Sequence, residues 1–284
     1  MVAGQGGGRG NGFGSLLVPP AKKDTASESG LRGYDEKAWI NKPVFKISIS
    51  SIISHYFCPR CAFLAFRKRL YVNTLQSVEG QICHFAAEKF FAREVDFVQC
   101  STAGGNKATN LFLNFLELLR EDTENKFGYQ YRKLGGDFSV TWNRVEYLLK
   151  RRFERLVLAP LQIIPERQFE ISLSSDNLGL TGRLDVIENG APLEIKTGYV
   201  PNNGYSLSHA LQVSLYALLI ENKHFVNVNV GYLYYFSADE IRVVNIDEDL
   251  RMEALYQRDA ALCTFQNENE PEGKCRRCVG GNDT

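Results

Sequence analysis

The stretch "GLTGRLDVIENGAPLEIKTG", residues 179–198, decides how this chain is read. Two short apolar runs flank a turn-like Glu-Asn-Gly-Ala, the pattern of two strands joined as a hairpin. The first run carries Asp185, and the second carries Glu194 and Lys196. Side chains two residues apart on a strand share a face, so Glu194 and Lys196 project together. Three charges on a half-buried hairpin are unfavourable unless they pair with one another or hold a metal ion. On the hairpin alone, a structural ion pair and a metal-dependent site are both open.

The bulk composition narrows the classes. With 284 residues and 44% hydrophobic content, the chain can bury a full core in one large domain, or in one and a half. Basic and acidic residues balance at 33 each, which excludes a histone-like or tail-type nucleic-acid binder but leaves room for a local basic groove. No run approaches the roughly 18 apolar residues of a membrane span. No basic segment precedes an apolar one at the N-terminus, so no secretory signal is expected. Seven cysteines, an odd number in a long chain, argue against a secreted disulfide scaffold. A cytoplasmic protein with reduced thiols is expected.

Residues 1–30 are rich in Gly, Ser and Lys and read as disordered, a flexible segment expected to extend to residue 46. One domain is expected over 47–284. It opens with "SISSIISHYFCPRCAFLAFRKRL", a helix capped by Ser50 or Ser51 that restarts at Pro59. A second helix follows, with Val78, Ile82, Phe85, Ala86 and Phe90 at helical spacing. Residues 107–121 and 139–158 form two more amphipathic helices, parted by Gly135-Gly136. The period then shifts to two: "ERQFEISLS", "LGLTGRLDVIE" and "APLEIKTG" are three consecutive strands. A long apolar helix at 206–222, a hairpin from 228 to 246 and a closing helix at 248–265 complete the order. A sheet covered by helices is the natural packing solution.

Other elements bear on the hairpin charges. His84 lies on a helix with Glu88 one turn later on the same face. Gln212 and Tyr216 sit four apart on the apolar helix after the hairpin. Taken alone, each has an ordinary packing explanation. Together they run His on a helix, Asp on a strand, Glu-x-Lys on the next strand and Gln-x-x-x-Tyr on a helix. That order resembles the RecB-like branch of the PD-(D/E)xK nuclease superfamily, carried by His84, Gly182-Arg183-Leu184-Asp185, Glu194-Ile195-Lys196 and Gln212 through Tyr216. Asp with Glu-x-Lys alone is a weak signature; five elements in order on the right element types are specific.

Two C-x-x-C pairs, Cys58 with Cys61 and Cys275 with Cys278, have the spacing of metal or iron–sulfur ligands. A disulfide staple between the chain ends is the structural alternative, disfavoured for reduced thiols. Cys83 and Cys263 read as apolar fillers on helices, and Cys100 as a loop cysteine. With the nuclease core, the pairs narrow the resemblance to the CRISPR-associated exonuclease family called Cas-four, whose N-terminal motif is similar to "YFCPRCAF". The resemblance runs from about residue 47 to the C-terminus. That family usually carries one cysteine near the N-terminus and three near the C-terminus. Here the assignment is two and two, with Cys61 standing in for the missing ligand and Cys263 in reserve.

The resemblance implies an α/β (α+β) fold with a restriction-endonuclease-like core: a mixed central sheet flanked by helices, its ends joined at the four-cysteine site. It implies a [4Fe-4S] cluster of structural role, and a four-thiolate zinc site fits the same spacing. Asp185, Glu194, the Ile195 carbonyl and His84 would hold Mn2+ or Mg2+, the histidine making Mn2+ the more comfortable. Lys196 would position the attacking water, and Gln212 and Tyr216 would orient Lys196 or the DNA backbone. Arg60 and Arg67 near the first cysteine pair, and Arg276 and Arg277 within the second, are candidate DNA contacts, ordinary solvated charge being their bland alternative. The implied activity is exonucleolytic hydrolysis of single-stranded DNA, trimming it before integration in CRISPR adaptation. Implied partners are DNA and the adaptation integrase with its small dimeric companion; no membrane is involved, and an oligomer is left open. Two other readings are kept. One is a nuclease of repair or recombination, whose helicase would be a separate chain because no Walker-type loop occurs here. The other is a scaffold that binds DNA or partners without cutting.

Overall fold

A six-stranded mixed sheet forms the centre of the computed structural model, which describes residues 45–68, 73–102, 106–158, 165–267, 269–273 and 275. The expected flexible segment falls, up to residue 44, outside the described residues. The strands are β1 (Ile47–Ser48), β2 (Arg167–Ser175), β3 (Leu180–Glu188), β4 (Ala191–Lys196), β5 (Val230–Tyr235) and β6 (Glu240–Asn245). Their order is β1-β3-β4-β5-β6, with β2 paired to β3. The β1–β3 and β4–β5 pairs are parallel and the others antiparallel. The mixed sheet flanked by helices is therefore as expected.

Helices cover both faces and define two cores. Against one face lie α3 (Leu75–Phe91), α4 (Glu94–Thr102), α5 (Lys107–Thr123), α6 (Tyr129–Lys133) and α7 (Phe138–Leu158), which bury Val186, Leu193, Ile195 and Tyr234. Against the other lie α1 (Ile49–Phe57), α2 (Pro59–Lys68), α8 (Leu207–His224) and α9 (Glu248–Gln266), which bury Leu184, Ile187, Leu233 and Tyr235. The β3–β4 connection is a tight turn in which Asn189 (φ 49°) and Gly190 (φ 83°) both take left-handed conformations, as a type I′ hairpin requires.

One irregularity sets up the site. Side chains alternate along a strand, so Leu184 and Val186 belong on one face, yet they enter opposite cores. Phe169 and Ile171 on β2 do the same. The β2–β3 ladder skips the positions between them, Glu170 and Asp185, and Glu170 is left-handed at φ 50°. The sheet thus changes phase at Asp185.

Several local expectations are corrected. The α1 cap is Ser48, whose hydroxyl accepts from the Ser51 amide at 3.1 Å; Ser50 and Ser51 lie inside the first turn. Cys100 sits on α4 rather than in a loop, half-buried against the first core. Cys83 is a buried filler as read, but Cys263 is exposed on α9. The helix from 107 runs past 121 to Thr123 and passes through a π-helical turn, Glu124–Gly128, into α6. Across the first core, buried Glu94 accepts from Arg152 at 2.9 Å and Arg167 at 2.7 Å, tying α4 to α7 and β2.

Candidate active site

The site lies where β3 and β4 part. Their paired positions end at Val186 with Leu193, although continued register would set Asp185 opposite Glu194. Instead the Asp185 carboxylate accepts the Ile195 amide at 2.8 Å, taking a place the ladder leaves open. On its other side Asp185 receives His84 Nε2 at 2.9 Å, from α3. Glu88 follows one turn later, 3.9 Å from His84 Nδ1.

Glu194 falls between Leu193 and Ile195, which face the first core, so its side chain turns the other way, toward α8. There Gln212 Nε2 donates to Glu194 Oε1 at 2.5 Å, and Lys196 Nζ donates to Gln212 Oε1 at 2.5 Å. Lys196 Nζ also reaches Glu194 Oε1, at 3.2 Å. Tyr216, one turn beyond Gln212, donates to the Arg183 carbonyl at 2.6 Å and packs beneath Gly182, where a Cβ would lie 2.9 Å from its ring. Tyr216 therefore fixes the run into Asp185 and does not touch Lys196 through this hydroxyl. All five expected elements, His84, Asp185, Glu194-x-Lys196, Gln212 and Tyr216, come together around the end of the β3–β4 ladder.

The electrostatics favour a cation. Burial first, and the Asp185 charge second, push the Glu194 carboxyl up to about 7 against the opposing pull of Lys196. Burial works to lower His84, but its hydrogen bond to Asp185 and the charges of Asp185, Glu194 and Glu88 outweigh it and raise it. Among the described residues Glu194 Oε2 is buried with no hydrogen-bond partner, while its Oε1 is doubly bonded. One imidazole and two hard carboxylates, one of them holding an orphaned oxygen, are a donor set that Mn2+ or Mg2+ fits.

The cysteines form a separate site. The sulfur atoms of Cys58, Cys61 and Cys275 lie within 4.8 Å of one another, with Cys61 Sγ 3.4 Å from Cys275 Sγ. The Cys61 amide donates to Cys58 Sγ at 3.4 Å, a contact that supports a thiolate ligand. Cys61, not Cys263, joins this group; Cys278 lies outside the described residues. Three thiolates so grouped fit zinc or an iron–sulfur cluster. Arg60 is ion-paired with Glu270, and Arg67 donates to the Asn267 carbonyl at 2.8 Å, so both tie α2 to the segment after α9. Arg276 and Arg277 lie outside the described residues.

Sequence reasoning passed over the groove that leads to Asp185. It holds about 610 Å3, and its lining includes Gln81, Phe85, Lys126, Glu170 and Arg183 beside His84 and Asp185. Phe85 had a helical spacing that marked it as core, and nothing in the sequence around Lys126 announced a turn facing the strands.

The geometry agrees with comparisons to known proteins. The sequence profile of the PD-(D/E)XK nuclease superfamily matches residues 46–279. The CRISPR-associated exonuclease Csa1 of Saccharolobus solfataricus is 28% identical over 255 residues, 81% of this chain and 82% of that protein. A CRISPR-associated exonuclease Cas4/endonuclease Cas1 fusion of Leptospira interrogans is 30% identical over 118 residues, 37% of this chain and 22% of the fusion. The DNA replication ATP-dependent helicase/nuclease JHS1 of Arabidopsis thaliana shares 34% identity over 61 residues, 22% of this chain but only 5% of that protein. No helix among the described residues is long and apolar enough to cross a membrane. With the profile spanning most of the sequence and His84, Asp185, Glu194, Lys196 and Gln212 gathered at one break in the sheet, the chain belongs to the PD-(D/E)XK nuclease superfamily.

Proposed function

We propose that this chain is a metal-dependent exonuclease that hydrolyses phosphodiesters of single-stranded DNA and trims DNA before its integration in CRISPR adaptation. The observation that carries the chemistry is the half-used carboxylate of Glu194, with one oxygen held by Lys196 and Gln212 and the other buried without a hydrogen-bond partner among the described residues. Asp185, Glu194, His84 and the Ile195 carbonyl would hold Mn2+ or Mg2+. When bound, the ion supplies Lewis acidity to the scissile phosphate and makes water a better nucleophile. Lys196 keeps a positive charge beside that phosphate and orients the attacking water. Gln212 fixes the distance between Lys196 and Glu194, and Tyr216 steadies β3 ahead of Asp185.

Cys58, Cys61, Cys275 and Cys278 would hold a [4Fe-4S] cluster, zinc being the alternative, whose part is to clamp α2 to the chain end. The adaptation setting takes its support from the similarity to the CRISPR-associated exonuclease Csa1. A CRISPR-associated endonuclease of the kind fused in the Leptospira relative is the partner this suggests. A second reading, a nuclease of DNA repair or recombination, draws on the 61-residue similarity to a helicase/nuclease. The two share one chemistry and separate at the partner, so copurification with a CRISPR-associated endonuclease decides between them.

The test uses anaerobically purified protein. Iron, sulfide and zinc are measured with a visible spectrum, followed by Mn2+-dependent cutting of end-labelled single-stranded DNA. Iron, sulfide and cutting that is lost in Asp185→Ala support the proposal. A colourless zinc protein that cuts nothing is a binding scaffold.

A further inference from the structure

The groove leading to Asp185 has two cationic side chains in its lining, Lys126 and Arg183. Arg183 faces Glu170 at 3.3 Å. Lys126 has no carboxylate within ion-pairing distance among the described residues, although Glu88, Glu170 and Asp185 line the same groove. Aromatic rings hold it instead: its ammonium lies 4.3 Å from the Phe85 ring centroid and 5.3 Å from that of Phe127. The rings themselves meet edge to face at 5.7 Å. A flexible, strongly hydrated lysine is thereby held exposed over a fixed platform.

The backbone under Lys126 is built for this position. It belongs to the π-helical turn Glu124–Gly128, where each added residue shifts the helix phase and re-aims the side chains. Arg132 reaches back to Glu124 at 2.8 Å across Gly128. A Cβ at Gly128 would lie 3.0 Å from the Glu124 side chain and 3.2 Å from Arg132, so glycine makes room for the clasp. An ordinary α-turn would carry Lys126 and Phe127 to another side of the helix.

We propose that Lys126, held on the Phe85–Phe127 platform, contacts a phosphate of the nucleic-acid strand that the groove delivers to Asp185. This rests on the nuclease reading above. A polynucleotide is the ligand the chemistry favours: Lys126, the groove's one Lys or Arg with no ion pair among the described residues, draws a polyanion in and leaves its scissile phosphate to the metal-binding carboxylates.

The test is binding and cutting of a fluorescein-labelled single-stranded oligonucleotide by the full chain and its variants. Binding is measured by anisotropy from 50 to 300 mM KCl without added divalent ion, and cutting with Mn2+. Lys126→Ala is expected to weaken binding about threefold to tenfold and to reduce the slope of log K against log salt by about 0.7, one phosphate contact to a single strand. KM should rise with little change in kcat. Lys126→Arg should restore the slope, and Phe85→Leu should give part of the Lys126→Ala defect without adding fully to it. Lys223→Ala, at the far end of α8, is the control for loss of a surface charge. If the wild type binds and cuts while Lys126→Ala keeps its salt slope and KM, the proposal is overturned and the nuclease reading stands. If the wild type neither binds nor cuts DNA, the nuclease reading fails and takes this inference with it.

Discussion

The Asp185 carboxylate accepts the backbone amide of Ile195, and that single hydrogen bond of 2.8 Å stands where the β3–β4 ladder stops. It ties the side chain of β3 that carries the site's first acid to the backbone of β4 one residue past the second, Glu194. Replacing Asp185 by Asn keeps an oxygen for the amide but removes the charge. Asp185→Asn should therefore melt close to the wild type while Mn2+-dependent cutting falls on the order of 10^2-fold or more. Cutting that survives in this variant would remove Asp185 from the site.

Gln212 ties Lys196 to Glu194 through both ends of its amide. Gln212→Ala deletes two hydrogen bonds to charged groups, each contributing about 1.5–3 kcal/mol. Steady-state kinetics should show kcat lower by about 10- to 100-fold with KM much less affected. An unchanged kcat would mean that the pair holds its geometry without Gln212.

Burial and Asp185 raise the Glu194 carboxyl from its ordinary 4.5 to about 7. Across that interval the folded, metal-free chain holds a proton that the unfolded chain has lost, so its stability falls as pH rises from 4.5 to 7. Thermal melts over this range should show the decline. Added Mn2+ should flatten it, because the ion replaces the proton, and Glu194→Gln should lessen it, leaving the share of Glu88 and His84, which are raised as well. A pH-independent melt in the metal-free wild type would contradict the burial argument.

Cys61 and Cys275 approach to 3.4 Å, whereas Cys263 is exposed on α9. Cys61→Ser is expected to empty the thiolate site of iron or zinc and to cost about 3 kcal/mol or more of stability. Metal analysis of Cys263→Ser should match the wild type. The reverse result would move the fourth ligand to Cys263.

Glu94 is buried and receives both Arg152 and Arg167. Glu94→Ala leaves two guanidiniums without their shared acid and should destabilise the fold by about 3–5 kcal/mol in urea unfolding. The network joins α4, α7 and β2 and includes none of His84, Asp185, Glu194, Lys196 or Gln212, so activity of the folded fraction should remain. A loss below 1 kcal/mol would show that water or Asp239, which lies 3.5 Å from Arg152, replaces Glu94.

What the sequence determined alone was the part written in short-range periodicity and spacing. The alternation on either side of Asn189-Gly190 specified a hairpin, Glu194 and Lys196 necessarily shared a face, and the four-residue spacing of Gln212 and Tyr216 put both on one side of α8. Pro59 began a helix because its missing amide hydrogen is unneeded there. These patterns, with the C-x-x-C pairs, were enough for the superfamily and for naming most of the side chains that gather at the two candidate sites.

Tertiary structure decided the rest, because it depended on interactions between distant segments. Alternation along β3 alone would set Leu184 and Val186 on one face; the phase change at Asp185 occurs beside the left-handed Glu170 of β2, a neighbour that only the folded sheet brings there. The choice of Cys61 over Cys263 rested on distances between segments more than 200 residues apart. Lys126 looked like any exposed lysine, since a π-turn leaves no periodic trace in so few residues, and only the packing of Phe85 and Phe127 beneath it set it over the groove.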